Sequence, residues 1–310
     1  MEKTEKMGYI KYIAALLIMS TNGIVASFIP MNSYEIVFFR LLIGSLFILT
    51  IFLMTGGKFT FFKHKKDGAL VILAGISTAA NLLFLFEAYV QLGVSLALII
   101  YYVAPIVVVI ISPFVFKENL TAIKIGASIA VLIGMILVSG QAMQQGKPIW
   151  GLICALLTAT AMVCNLICLR KSEKVVGMEK VTIQLLVAFV TVGAFVGIKQ
   201  GFAFEIHASF IVPLLIMGFI NGGVALYFYF SAFTQIPAQS VAILSYTEPL
   251  AGVLLSAVFL GERLSFLQLI GGALIIGGAM AAELYHKKSG AEVPKSIIRK
   301  TAGASAIEVA

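Results

Sequence analysis

A glutamate followed by a proline inside an apolar stretch is the most chemically loaded feature of this sequence. It is Glu248-Pro249, in the run Leu244-Ser245-Tyr246-Thr247-Glu248-Pro249-Leu250. Proline lacks the N–H that a helix needs and leaves a carbonyl one turn earlier without its donor. A carboxyl group in hydrocarbon costs on the order of 3 kcal/mol on insertion scales, so Glu248 must be protonated, paired or facing a wet cavity. Such a group carries a proton or anchors a ligand ammonium. Its structural alternative is a protonated acid that only hydrogen-bonds a neighbouring helix. A second cluster, Tyr101-Tyr102 ahead of Pro105, has the same pattern with Ala104 in the place of the acid. Tyr101, Tyr102 and Tyr246 offer an apolar face and one hydroxyl each, which suits small amphipathic solutes and, through cation–π attraction, organic cations.

Other polar residues are scattered through apolar stretches. Arg40 is open to an anionic substrate group, to lipid phosphate by snorkelling, or to pairing with Glu35 or Glu87, and Glu87 is itself a candidate for substrate binding or coupling. Asn22, Asn81, Asn165 and Asn221 suit hydrogen bonds between helices, and Asn22 and Asn81 are also candidates for substrate contact. Glu118 and Glu262 stand at segment ends, where capping or contact between repeats explains them.

Several chemistries find no support. His64, His207 and His286 lie apart, and Cys164 and Cys168 have no further ligands, so no metal and no cofactor is expected. Cys154, Cys164 and Cys168 share one apolar stretch and read as small packing residues. Gly271-Gly272 and Gly277-Gly278 lack the Lys and Ser or Thr of a phosphate-binding loop.

The elements that must position these residues follow from composition. With 60 % hydrophobic and 12 % charged residues and a mean hydropathy of +1.05, the chain cannot cover itself with polar surface in water. It reads as an integral membrane protein. Its net charge of +8 sits in short clusters between apolar runs, which excludes nucleic acid as a partner. Cutting at the polar breaks gives ten spans: 9–29, 35–55, 68–91, 94–116, 121–140, 148–169, 181–199, 208–233, 239–260 and 265–285. The first reads as an uncleaved signal anchor. Apart from Lys147, Lys199 and Arg263, and from Arg40 inside the second span, every Lys and Arg falls on the side of the two termini. That asymmetry places both termini in the cytoplasm, and Tyr9, Tyr12, Trp150 and Tyr285 fall near span ends where an aromatic belt is expected.

Shifting the chain by 144 positions aligns 84–140 with 228–284 without a gap. The rarer residues fall in register: Pro105 on Pro249, Tyr102 on Tyr246, Glu118 on Glu262, Ser112 on Ser256, Gly134 on Gly278. Each half has an odd number of spans, so the second enters the membrane inverted. Inverted repeats with interrupted helices at matching positions are the architecture of secondary transporters, whose site lies near the midplane.

The repeated ending, Lys117-Glu118-Asn119-Leu120-Thr121 and Gly261-Glu262-Arg263-Leu264-Ser265, each ahead of a Gly-rich helix, resembles the EamA family of the drug/metabolite transporter superfamily. Asn22-Gly23 and Phe39-Arg40-Leu41 add to a resemblance that covers nearly the whole chain. It implies an all-α integral membrane fold of ten transmembrane helices in two inverted five-helix repeats. The expected divisions are a cytoplasmic N-terminus at 1–8, repeats at 9–140 and 148–285, and a tail at 286–310. It also implies a cofactor-free carrier in the cytoplasmic membrane, partnered by the lipid bilayer and a small-molecule substrate. Amino-acid export or exchange is the leading expectation, with proton coupling through Glu248. Uptake of an organic cation or nucleoside-like metabolite, broad drug efflux, and a membrane-embedded enzyme or scramblase are the alternatives. Stripes of small residues, Gly126/Ala130/Gly134 and Ala273/Gly277/Ala281, offer close packing within the chain or in a homodimer.

Overall fold

The computed structural model describes residues 2–104, 107, 122–204, 208–232, 235–236, 244–245 and 247–288. Among them every regular element is helical. In chain order these are α1 Glu2–Ser20, α2 Asn22–Ser27, α3 Ser33–Met54, α4 Lys65–Leu92, α5 Val94–Tyr101, α6 Ala122–Gln144, α7 Ile149–Lys171 and α8 Gly177–Gln200. Then follow α9 Ile211–Leu215, a π-helical segment Ile216–Val224, α10 Ala225–Ala232, α11 Thr247–Phe259 and α12 Phe266–Lys288. Among the described residues six stretches are long and apolar enough to cross a bilayer, and three shorter apolar helices accompany them. Large apolar side chains such as Leu46, Val90, Ile136, Val190 and Ile198 lie exposed, as lipid-facing residues do.

The small-residue stripes settle the packing of α6 against α12, in a register that differs from the expected one. A Cβ on Gly134 would stand 2.5 Å from the Gly271 carbonyl oxygen, and one on Gly278 would stand 3.0 Å from that of Ala127. The two contacts exchange under the 144-residue shift, so the helices cross about a pseudo-two-fold axis. The contact stripe on α12 is therefore Gly271, Ile275 and Gly278. Ala273, Gly277 and Ala281 are exposed, and a Cβ added to Gly126 would meet nothing within 4 Å, so these residues lie off the crossing. Gly134→Val is expected to push the helices apart and to lower the yield of folded protein in fluorescence-detected size exclusion. Gly126→Val, by contrast, should leave that yield unchanged.

The first span is broken. Helix α1 stops at Ser20 and α2 restarts at Asn22, with Thr21 in a turn between them. The Ser20 and Thr21 hydroxyls bond the carbonyls of Leu17 and Ile18, the back-bonding that bends helices. The fully buried Asn221, in the π segment, crosses over and donates Nδ2 to the Ile18 carbonyl at 2.9 Å and to Thr21 Oγ1 at 3.0 Å. A break in one helix thus meets a π segment in its neighbour. The glycines of that segment, Gly218, Gly222 and Gly223, would each place a Cβ against α3. Asn221→Leu is expected to cost about 1–3 kcal/mol, because it strands buried acceptors; thermal unfolding in detergent measures this.

Loops at one end of the bundle are tied together. Glu179 accepts from the backbone N–H groups of Thr60 and Phe61 and from the Thr60 hydroxyl, and Asp67 accepts from the N–H groups of Glu173 and Lys174. Tyr12 departs from the expected aromatic belt. It is fully buried, 5.3 Å ring to ring from Tyr229, because α1 packs on α10 there.

Candidate functional site

Glu248 is helical in α11, and Leu244 and Ser245 ahead of it are helical too. Pro249 offers no N–H to the Ser245 carbonyl. The hydroxyl of Tyr102 fills that corner, donating to Glu248 Oε2 at 3.2 Å and approaching the Ser245 carbonyl at 3.5 Å. Tyr102 owes its position to a second interruption. Helix α5 ends at Tyr101, the residue whose carbonyl would need an N–H from position 105, and Tyr102-Val103 form a turn. Pro105 and Tyr246, both expected at the site, lie outside the described residues. The rings of Tyr101 and Tyr102 stand edge to face, with centroids 5.4 Å apart.

Arg40 lies on α3, 8 % exposed, with its guanidinium 5.6 Å from the centre of the Phe86 ring. The expected partners are engaged elsewhere. Glu35 accepts from the Asn32 N–H in the capping box of α3 and from Gln200 Nε2. Glu87 accepts from Ser33 Oγ at 2.6 Å and from Gln91 Nε2 at 2.9 Å. Both acids serve the entrance of α3, whereas Arg40 sits seven residues further on, about 10 Å deeper at the helical rise. Burial inside the protein also removes the lipid-phosphate alternative.

Two cavities flank this point. One of about 110 Å³ is lined by Arg40, Gly44, Thr78, Gln184, Gly222 and Phe230, among others. Its polar edge is a hydrogen-bonded set in which Thr78 Oγ1 receives Gln184 Nε2 and Asn165 Nδ2, each at 2.8 Å. The other, of about 250 Å³, is lined by Gly23, Ser27, Ser33, Phe86, Tyr89 and Glu262, among others. Phe86 borders one space and Arg40 the other, so the stacked pair divides them.

The larger cavity ends at a junction between the two halves of the chain. Glu262 accepts from the backbone N–H of Val94 at 2.7 Å and of Ser95 at 2.8 Å, and so caps α5 with a carboxylate. Gly93 turns the chain there at φ +90°, and a Cβ on it would lie 2.6 Å from Glu262 Oε1. The hydroxyls of Ser95 and Ser256 share a hydrogen bond beneath.

The profile of the EamA-like transporter family matches residues 6–140 and, a second time, residues 149–282. The chain belongs to the EamA-like transporter family. An uncharacterised transporter, YxxF, of Bacillus subtilis is 25 % identical over 301 residues, covering 94 % of each chain. An uncharacterised inner membrane transporter, YicL, of Salmonella typhimurium is 23 % identical over 298 residues, covering 91 % of this chain and 97 % of its own. One solved crystal structure shares the fold with a TM-score of 0.61 at 20 % identity, over 91 % of this chain and 99 % of that one.

Within this EamA-like fold, the two matched segments meet at Tyr102–Glu248 and again at Glu262–Val94. Asn81 is held between helices, donating Nδ2 to the Thr158 carbonyl at 3.0 Å, and Asn165 and Asn221 likewise bridge helices. Asn22 is buried at the break in the first span, and its Oδ1 has no hydrogen-bond partner among the described residues. Sequence reasoning missed Phe86, Tyr89 and Gln184. Tyr89 follows Asn81 by eight residues, about two helical turns, and Phe86 by three residues, a signal hidden among the chain's many aromatics.

Proposed function

We propose that this EamA-like protein is a secondary carrier that exports or exchanges amino acids or related small amphipathic metabolites across the cytoplasmic membrane by alternating access. Both termini are cytoplasmic in this reading, and Glu248 is the group that binds or couples. The observation that carries it is the hydrogen bond from Tyr102 to Glu248, which joins the two family repeats where α5 ends in a turn and beside Pro249 of α11. Discontinuous helices that meet from opposite repeats are where carriers of inverted architecture hold their cargo. Two cavities separated by Arg40 and Phe86 suit a path closed at its middle. Their sizes fall below the roughly 300–1,000 Å³ of drug-sized pockets, which favours small metabolites over bulky drugs. The test is a metabolite profile of the medium from cells overproducing the protein. A rise of one amino-acid or amine group above the level for the empty vector supports export and names the class. An unchanged profile together with no counterflow of any amino acid or amine in vesicles overturns it.

A further inference from the structure

Two loops converge on one strongly basic surface at the end of the bundle where α3 gives way to α4 and α7 to α8. Over residues 58–67 and 170–180 the sequence sets eight Lys or Arg against three acids. Two of those acids are turned inward. Glu179, 8 % exposed, accepts from the Thr60 and Phe61 N–H groups and from the Thr60 hydroxyl. Asp67 accepts from the N–H groups of Glu173 and Lys174 at 2.8 and 2.7 Å. Lys180 is likewise withdrawn, its ammonium donating to the carbonyls of Leu169 and Ser172 at the end of α7. Lys58, Lys63, Lys65, Lys66, Lys171 and Lys174 stay outside. All six are exposed, and their side chains make no hydrogen bond or ion pair among the described residues. The surface is firmly built, because Phe61 packs with Val71, Val175 and Ile183 beneath it and so joins both loops through one apolar cluster. Phe62, 72 % exposed, and Phe59, 36 % exposed, stand among the lysines of the first loop.

We propose that these two loops form a docking surface for the anionic phospholipid headgroups of the adjoining leaflet, with the lysines on lipid phosphate and Phe59 and Phe62 at the acyl boundary. The surface lies on the side that the charge asymmetry assigns to the cytoplasm, where the leaflet carries anionic lipid and each nearby lysine adds to the attraction. Aromatic rings beside lysines are the composition of an element that lies in the interface, since the ring enters the boundary while the ammonium stays with the phosphates. A soluble phosphate ligand would need a concavity that gathers the charges. None of the six lysines lines either of the two cavities described above. Basic loops orient the chain in any case. A docking surface demands more, namely that these lysines count and others on the same side do not. The inward turn of Glu179 and Asp67 supplies the reason, because carboxylates bonded to backbone N–H groups are held away from the lysine ammonium groups.

The test uses full-length protein, purified in a neutral detergent and freed of lipid, then titrated with phosphatidylglycerol or phosphatidylcholine while native mass spectrometry counts the bound lipid. Wild type is expected to bind phosphatidylglycerol about 10-fold or more tightly, and to lose most of that preference in about 1 M salt, where the screening length is about 3 Å. The triple variant Lys63→Gln/Lys65→Gln/Lys66→Gln and the double variant Lys171→Gln/Lys174→Gln should each lower the preference about 3-fold or more. Lys3→Gln/Lys6→Gln/Lys11→Gln removes as many charges as the triple variant from α1, which packs chiefly on α10 and α11, and should leave the preference unchanged. Phe62→Ser should weaken both lipids alike and leave the salt response as it was. The five loop lysines and Phe62 are exposed, so an unchanged unfolding temperature is expected and verifies the fold of each variant. Equal affinity of wild type for the two lipids, an unaltered preference in both loop variants, or an equal loss in the α1 variant overturns the docking surface. Because the readout is lipid binding in detergent, its failure would leave the carrier reading and the orientation of the chain untouched.

Discussion

Cells producing Glu248→Gln at the wild-type membrane level are expected to lose transport by about 10- to 100-fold while the protein unfolds at an unchanged temperature. Glutamine has the size of the acid, and its carbonyl can still accept the Tyr102 hydroxyl that Glu248 Oε2 accepts at 3.2 Å. What it loses is the negative charge and the transferable proton. A hydrogen bond to a charged group contributes about 1.5–3 kcal/mol, which sets the lower range of the loss in substrate affinity. Any residual flux should no longer respond to an imposed proton gradient, whereas Glu248→Asp should respond to it at a reduced rate. Counterflow in proteoliposomes at two external pH values measures both. Normal flux in Glu248→Gln with the wild-type pH response would reduce Glu248 to a packing residue.

Tyr102→Phe separates two roles of this contact. The ring keeps its place against Tyr101, and only the hydroxyl between Glu248 and the Ser245 carbonyl disappears. A cargo anchored by Glu248 alone should then bind nearly as before.

Helix positions and the repeat were legible because each rests on a strong local signal. Apolar runs of bilayer length mark the spans, and Pro, Tyr and Glu in register across 144 positions mark the duplication. The Glu248-Pro249 corner was legible for the same reason, since an acid and an imino acid are both costly in hydrocarbon. Partnerships were not. Arg40 and Glu87 look like mates by depth, yet Ser33 and Gln91 are nearer to Glu87 along and across the helices. Which face of α12 meets α6 is not legible either, because Gly and Ala recur so often there that several registers fit; the crossing uses Gly271, Ile275 and Gly278. The break at Thr21 had a weak local cue in Ser20-Thr21-Asn22-Gly23. The donor to the Ile18 carbonyl is Asn221, 203 residues away in sequence, which no local pattern reveals.

Gly93→Ala and Glu262→Gln are expected to weaken the same junction, and the two effects should not add. The backbone of Gly93, φ +90° and ψ 164°, belongs to a region that is essentially glycine's, so alanine costs on the order of 1–3 kcal/mol in strain. Its Cβ would also press on the carboxylate that caps Val94 and Ser95. Loss of the cap costs about 0.5–2 kcal/mol by itself. In Glu262→Gln the amide keeps the size of the acid but can hold only one of the two N–H groups and can turn from the added Cβ, so part of the steric penalty of the alanine disappears and the double variant should unfold above the temperature that simple addition gives. The junction also joins the helices across which the larger cavity would open at that end. Glu262→Gln should therefore speed the labelling of Ser27→Cys, in the wall of that cavity, by an impermeant thiol reagent in a background without the native cysteines. Glu118, its counterpart under the 144-residue shift, lies outside the described residues; the inverted-repeat reading expects it at the opposite face. If the two glutamates hold opposite ends closed, Glu118→Gln should slow the same labelling. A pair of variants that shift access in opposite directions cannot be explained by a general loss of stability, which would speed labelling in both.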